Sequence, residues 1–507
     1  MAASKEDMLK VSGAVGYEIP DEHLEDYTTL LGRMKGVLET LSAMDGKYYT
    51  PNPDLTSTPR KNVHFPQKSD NPLNAWAWRC DFCLKDNIAL AQVPCLLGTD
   101  SFTDWTPVVD ATAATRILEA GGTIAGKAVC ENLSRGAVSV SAATGPVHNP
   151  YAHGYSAGGS SSGTAALVAS GAADMGLGCD QGGSIRIPAA MCGLWGMKAT
   201  LGLVPYTGIA SNDASVDFVG PMTRMGLDCA TLLQAIAGVD GFDDRQIAGC
   251  PFPEQVPKYA DELRQSGKDG ARGLRIGILK EALSSPVLEE ELKNKFFAAA
   301  KQFENLGATV EEVSVPLHES ARTIYSVMSK MGNHMGMLGR ATGRRQLMMT
   351  DLFEKKNFPY TPDALSKMSV FSKEGLFSGE LGWTNYPYAY SKAVNLGRKL
   401  KDDYDAVLKD FDILVMPTTL RPSFPIPAVD ASPVEHIDAN KGMTENTAAF
   451  NASGHPALAM PIGFIPSKAD PSIKVPASMQ IVGRFWEEGT ILKAAYAWEQ
   501  TTDWNSF

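Results

Sequence analysis

Between residues 18 and 45 (YEIPDEHLEDYTTLLGRMKGVLETLSAM) apolar positions recur at helical spacing. Leu24, Tyr27, Leu30, Leu31, Met34, Val37, Leu38 and Leu41 share one stripe. The spacing predicts one long helix, stopped by Gly46. The stretch PNPDLTSTPRKNVHFPQKSDNP that follows is rich in Pro, Asn and Ser and reads as a linker. Residues 1–65 are therefore expected to form a helical N-terminal extension, and 66–507 the main body. From about residue 75 the pattern changes. Short apolar runs (CDFCLKDNIAL, GGTIAGKAV, GLRIGIL, DILVMP, ALAMPIGF, SMQIVGRF) are separated by helical stretches such as ATAATRILEA and EELKNKFFAAAKQFENL. Strands alternating with helices predict an α/β body around a mixed or mainly parallel sheet.

Composition narrows the class. With 44% hydrophobic and 20% charged residues the chain can bury a large core and is not disordered. Its 507 residues would allow about three domains on length alone. A formal net charge of −11 argues against a broad nucleic-acid surface. No apolar run approaches the ~18 residues of a membrane span, and the start MAASKEDMLK has charges but no apolar stretch. Eight cysteines are too few for a disulfide scaffold. The expectation is a reduced, cytoplasmic enzyme with no membrane partner.

Several motifs fail on inspection. GGTIAGKA at 121–128 approaches a phosphate-binding loop, but Ala128 has no hydroxyl for magnesium and a helical stretch precedes it. GLGCDQG at 176–182 has one residue too many for a dinucleotide fingerprint. Cys80 and Cys83 have no second ligand pair at metal spacing and read as core thiols. The eight histidines are scattered, and no G-x-S-x-G elbow displays a serine; His153 reads as a surface or packing residue. Neither a metal nor a cofactor is expected.

One tract remains. GYSAGGSSSGTAALVASGAADMGLGCDQGGSIRIP, residues 154–188, is packed with Gly, Ser and Ala, which let backbone approach backbone or a ligand. It holds two serine clusters, around Ser160 and Ser184, with a small-residue helix between them. Lys85 lies 75 residues before Ser160 in the apolar run FCLKDNI. A serine needs a base to become a nucleophile, and a lysine kept from water can serve, because burial disfavours the charged form. Glycines before a serine also let successive backbone N–H groups converge on one oxygen.

Together these segments resemble the amidase signature family. GGSSSGTAALVASG followed by GCDQGGSIRIPAAMCGLWGMKAT is similar to its defining segment almost position by position. The likeness continues through LKDNI, DATAATRILEAGGTIAGK, DILVMPTT, NASGHPALAMPIGF and MQIVGRFWEEGTILKAAYAWEQ. The resemblance implies a central mixed β-sheet flanked by helices and a Ser–cis-Ser–Lys triad. In it Ser184 is the nucleophile, Ser160 the bridging serine and Lys85 the base. It also implies oxyanion-hole amides from Gln181, Gly182, Gly183 and Ser184, support from Ser161, Asp180 and Arg186, and a cis peptide between Gly159 and Ser160. Three departures stand out: Ser162 where glycine is common, Ala199 in place of a proline, and GKAVCEN in place of GKTN.

Within the family, the Gly/Ser segments look most like broad-specificity bacterial amidases associated with nitrile hydratases, which carry a helical N-terminal extension. The expected activity is hydrolysis of small carboxamides through an acyl-enzyme, by a homodimer paired through residues 18–45. A carbamate hydrolase with the same triad, a non-catalytic scaffold and a tRNA-dependent amidotransferase subunit remain as alternatives. The least similar segment, 324–400, is rich in Met and aromatics (Met328, Met331, Met335, Met337, Met348, Met349, Phe371, Phe377, Trp383, Tyr386, Tyr388) and is expected to shape a broad apolar substrate pocket.

Overall fold

The computed structural model describes residues 3–44, 53–79, 82–356, 359–428 and 430–507. The chain divides into two units, Met1–Asn52 and Pro53–Phe507.

The smaller unit contains two helices, Lys5–Val15 and Asp21–Ser42, where the apolar stripe had predicted one. The first is too short to show a clear stripe. Its start is nevertheless written locally, because Ser4 Oγ accepts from Asp7 N and Asp7 Oδ2 from Ser4 N, both at 3.0 Å, in a reciprocal cap. No residue of the second helix is buried, and Leu30, Met34, Val37, Leu38 and Leu41 are exposed. The predicted stop at Gly46 lies outside the described residues.

The larger unit begins thirteen residues before the expected boundary at 65/66. The Pro- and Ser-rich stretch is fastened to the body, as Arg60 pairs with Asp110 and His64 bridges to Arg79. Its centre is an eleven-stranded sheet. From edge to edge the strands are Trp76–Arg79, Ala125–Ala128, Phe82–Lys85, Met175–Asp180, Phe218–Thr223, Trp195–Lys198, Ala457–Pro466, Lys474–Gly483, Ile413–Pro417, Arg275–Leu279 and Thr309–Val313. Phe82–Lys85 runs parallel to both of its neighbours, and Arg275–Leu279 runs parallel to both of its own. The remaining pairs are antiparallel, so the sheet is mixed.

The strands Ala457–Pro466 and Lys474–Gly483 are buried along nearly their whole length, as central strands covered on both faces must be. The helix Glu290–Asn305 turns Leu292, Phe296, Ala299, Ala300 and Phe303 toward the core, the spacing of one helical face. The glycine-rich tract contains a strand, Met175–Asp180, crossed closely by the small-residue helix Ser162–Ala169. A Cβ at Gly178 would lie 2.7 Å from Met222 Sδ and 3.0 Å from Ser161 Oγ, so glycine there serves close approach.

Candidate active site

Two parallel strands deliver the chemistry to one end of the sheet. Phe82–Lys85 and Met175–Asp180 pair with Leu84 opposite Leu177, and each ends on a charged residue, Lys85 and Asp180. Ligand sites in α/β sheets gather at such carboxyl ends. The turn after Asp180 carries Gln181, Gly182, Gly183 and Ser184 into the helix Arg186–Met191, and Ser160 lies just ahead of the helix Ser162–Ala169. The peptide between Gly159 and Ser160 is cis.

Lys85 is fully buried. Its Nζ donates to Ser160 Oγ at 2.8 Å and to the Cys179 carbonyl at 3.3 Å. Ser161 ties the two segments together, its Oγ donating to Cys179 O at 3.2 Å and accepting from Cys179 N at 3.3 Å. Ser162, unusual at its position, donates to Glu131 Oε1 at 2.9 Å. The other Glu131 oxygen accepts from Val140 N, Ser141 N and Ser141 Oγ at 2.7–3.0 Å. Burial raises the pKa of this carboxyl, and these donors oppose the shift. Glu131 N in turn donates to Ser160 O at 3.1 Å. The serine that stands in the glycine's place therefore has a partner for its hydroxyl.

Asp180 and Arg186 hold the turn from beneath. Arg186 Nε and Nη2 each reach Asp180 at 3.0 Å, and Arg186 also donates to Thr447 O, Gln480 Oε1 and Asn451 Oδ1. Burial pushes the Asp180 carboxyl up, but Arg186 and the Asn451 amide more than offset this and hold it at about 2. Gly183 N donates to Asp180 Oδ1 at 2.6 Å, so this amide is not free to meet an oxyanion as expected. The φ of Gly183, +132°, and the nearness of Thr447 Oγ1 demand glycine there. Gln181 Nε2 donates to the buried Tyr206 hydroxyl at 2.8 Å.

Of the nine residues picked out from the sequence, eight are buried and Ser184 alone is partly open. With Gln181 and Gly182 it lines a cavity of about 210 Å³. The helix His318–Met337 contributes Tyr325, Ser329 and Asn333, spaced four apart along one face, while its Ile324 and Met328 turn into the helical layer. The helix Val370–Asn385 adds Phe371 and Glu374. Of the eleven Met and aromatic residues named for 324–400, Phe371 lines this cavity; Tyr325, in the same stretch but not among those named, lines it too. Met335, Met348, Met349 and Trp383 line a separate cavity of about 550 Å³ that shares Asn212 with the first.

Sequence reasoning missed Glu131, Tyr325, Thr447, Asn451 and Gln480. Asn451 opens NASGHP and Gln480 lies in MQIVGRF, so two stood within matched motifs without an assigned role. Cys83 is buried as expected, and Cys80 lies outside the described residues. His153 is exposed and stacks on His148. Among the described residues no three His, Cys, Asp or Glu side chains cluster to hold a metal, and no helix is long and apolar enough to cross a membrane.

A sheet that brings a buried lysine, a serine after a cis peptide and a second serine on a glycine turn to one end defines an amidase-type fold. The chain belongs to the amidase family, whose pattern matches residues 80–492, and it is an enzyme of the amide-hydrolase class. It is 34% identical over 461 residues to an enantioselective amidase of Rhodococcus rhodochrous, covering 86% of this chain and 85% of that one. It is 33% identical over 432 residues to a glutamyl-tRNA(Gln) amidotransferase subunit of Lysinibacillus sphaericus, covering 83% and 82%. Among solved structures it resembles native peptide amidase from Stenotrophomonas maltophilia, with a TM-score of 0.65, 28% identity, and coverage of 83% and 82%.

Proposed function

We propose that this enzyme hydrolyses small carboxamides to a carboxylic acid and ammonia through an acyl-enzyme on Ser184. One observation carries the reading. The partly open serine lines a cavity, and the same end of the sheet carries a buried lysine in direct hydrogen bond with Ser160.

In this reading Ser184 Oγ attacks the amide carbonyl carbon. Its proton passes to Ser160 Oγ as the Ser160 proton passes to the neutral Lys85 amine. The backbone amides of Gln181, Gly182 and Ser184 meet the oxyanion. Collapse breaks the C–N bond, and the relay run backward protonates the departing ammonia. Water then repeats the sequence on the ester and frees the acid. The match to the Rhodococcus enzyme supports an amide substrate. The match to the amidotransferase protein supports a second reading, ammonia delivery to a partner, against which the net charge of −11 weighs for any direct contact with tRNA. The cytoplasm is the proposed location and a homodimer the proposed assembly.

Ser184→Ala should lose essentially all ammonia release while keeping the wild-type melting temperature. Phenylmethylsulfonyl fluoride should label Ser184 alone. A label on Ser160, or substantial turnover by the alanine variant, overturns the assignment.

A further inference from the structure

Among the described residues lining the cavity over Ser184, one cation has no salt bridge of its own. Arg135 follows the turn Asn132–Ser134, is partly buried, and lines the cavity together with Ser184, Gln181 and Gly182. The other charged groups on its wall are matched. Arg322 pairs with Glu445 at 3.1 Å, and Lys330 pairs with Glu374, which also accepts from Ser378 Oγ at 2.7 Å. Among the described residues no carboxylate forms a salt bridge with Arg135; Glu374 acts on it through space, while its own salt bridge goes to Lys330. Its one hydrogen-bond acceptor is the Met337 thioether at 3.6 Å, a weak one for a group with five N–H donors.

The guanidinium also has a made seat. It rests on Gly375 of the helix Val370–Asn385, where a Cβ would run into it. A partly buried guanidinium with only a thioether to donate to gains from a carboxylate that arrives with the ligand. Its planar fork of donors matches a carboxylate in two-pronged geometry.

We propose that Arg135 recognises a carboxylate on the acyl part of the substrate, making monoamides of dicarboxylic acids preferred over neutral amides of the same length. The inference rests on amide hydrolysis at Ser184. Because ammonia is the leaving group there, whatever fills the rest of the cavity belongs to the acyl part.

The test compares kcat/KM for succinamate, glutaramate and adipamate with butyramide, valeramide and hexanamide. At least one charged amide should exceed its neutral counterpart, roughly ten- to hundredfold, the range of a charge-assisted hydrogen bond. Arg135→Leu should collapse that ratio, and Arg135→Lys should keep part of it. Calorimetry on Ser184→Ala should show the favoured charged amide binding, and binding should vanish when Arg135→Leu is added. Equal rates for charged and neutral amides in the wild type overturn the role of Arg135 and leave amide hydrolysis standing. Binding that depends on Arg135 without turnover of any amide supports the anion site and counts against the proposed reaction.

Discussion

Lys85 and Arg186 are both fully buried basic side chains, yet their surroundings suit them to opposite tasks. Arg186 directs its donors to Asp180, Thr447, Gln480 and Asn451, so its charge is fixed by a network that shapes the turn. Among the contacts above, Lys85 meets a hydroxyl and a carbonyl, and neither requires it to stay charged. A relay needs a cation that can give up its proton, which arginine cannot do. Lys85→Arg should therefore lower kcat/KM for amide hydrolysis by roughly 10²–10⁴, the span a general base contributes. Ammonia release under saturating and limiting substrate measures this. A near-normal rate would mean that the position needs only a positive charge.

On the helix His318–Met337, packing residues and cavity-lining residues occupy neighbouring faces. Met328 is buried in the layer between helices, and Ser329 one position on faces the cavity. Met328→Ala should cost about 2–5 kcal/mol of stability in denaturant unfolding, as large-to-small changes in a core do. It should depress all substrates alike. Ser329→Val should leave stability nearly unchanged and shift the kcat/KM ratio between short and long acyl amides. The opposite pattern would place the selecting surface elsewhere. The helix Asp21–Ser42 poses a different question, because most of its apolar stripe is exposed. If that stripe pairs two copies, removing residues 1–52 should convert a dimer to a monomer on a sizing column while the remaining unit keeps its fold. An unchanged dimer excludes the stripe as the contact.

Stability across the protein depends on buried carboxyls that join distant elements. Glu499, on the C-terminal helix Glu488–Thr501, accepts from Gly226 N at 3.0 Å, at the start of the helix Gly226–Ile236. Burial pushes its carboxyl up to about 7, and the Gly226 amide only partly opposes the shift. The folded-state value lies above that of the unfolded chain, ~4.3. The folded form thus holds the proton more tightly, and this contribution is complete below about pH 4. It is lost as pH rises through 7. Glu499→Gln keeps an acceptor without the ionisation. Its stability relative to wild type should rise by about 2 kcal/mol between pH 5 and pH 8, read from denaturant midpoints at each pH. A difference that does not vary with pH would show that Glu499 is not the titrating group. Asp180 works in the reverse sense. With its carboxyl held at about 2, its contribution is present above pH 4 and lost only as pH falls toward 2.

Much of this architecture was written locally. The helix Glu290–Asn305 and the strands Arg275–Leu279, Ile413–Pro417, Ala457–Pro466 and Lys474–Gly483 follow runs whose apolar spacing is visible residue by residue, because one element must hide one face. The Gly/Ser tract and Lys85 were legible too, since close backbone approach and a cation inside an apolar run both leave a mark in composition. The strand Met175–Asp180 was hidden by its own glycines, which satisfy packing against Ser162–Ala169 instead of advertising β-propensity. The linker looked free because its anchors, Asp110 and Arg79, lie outside it. Glu131, Thr447, Asn451 and Gln480 carry ordinary polar side chains, and their meaning comes from partners up to 294 residues away. No local pattern encodes such meetings. They exist only once an eleven-stranded mixed sheet has brought its strands side by side, and with them comes the cavity on whose wall Arg135 has no salt bridge among the described residues.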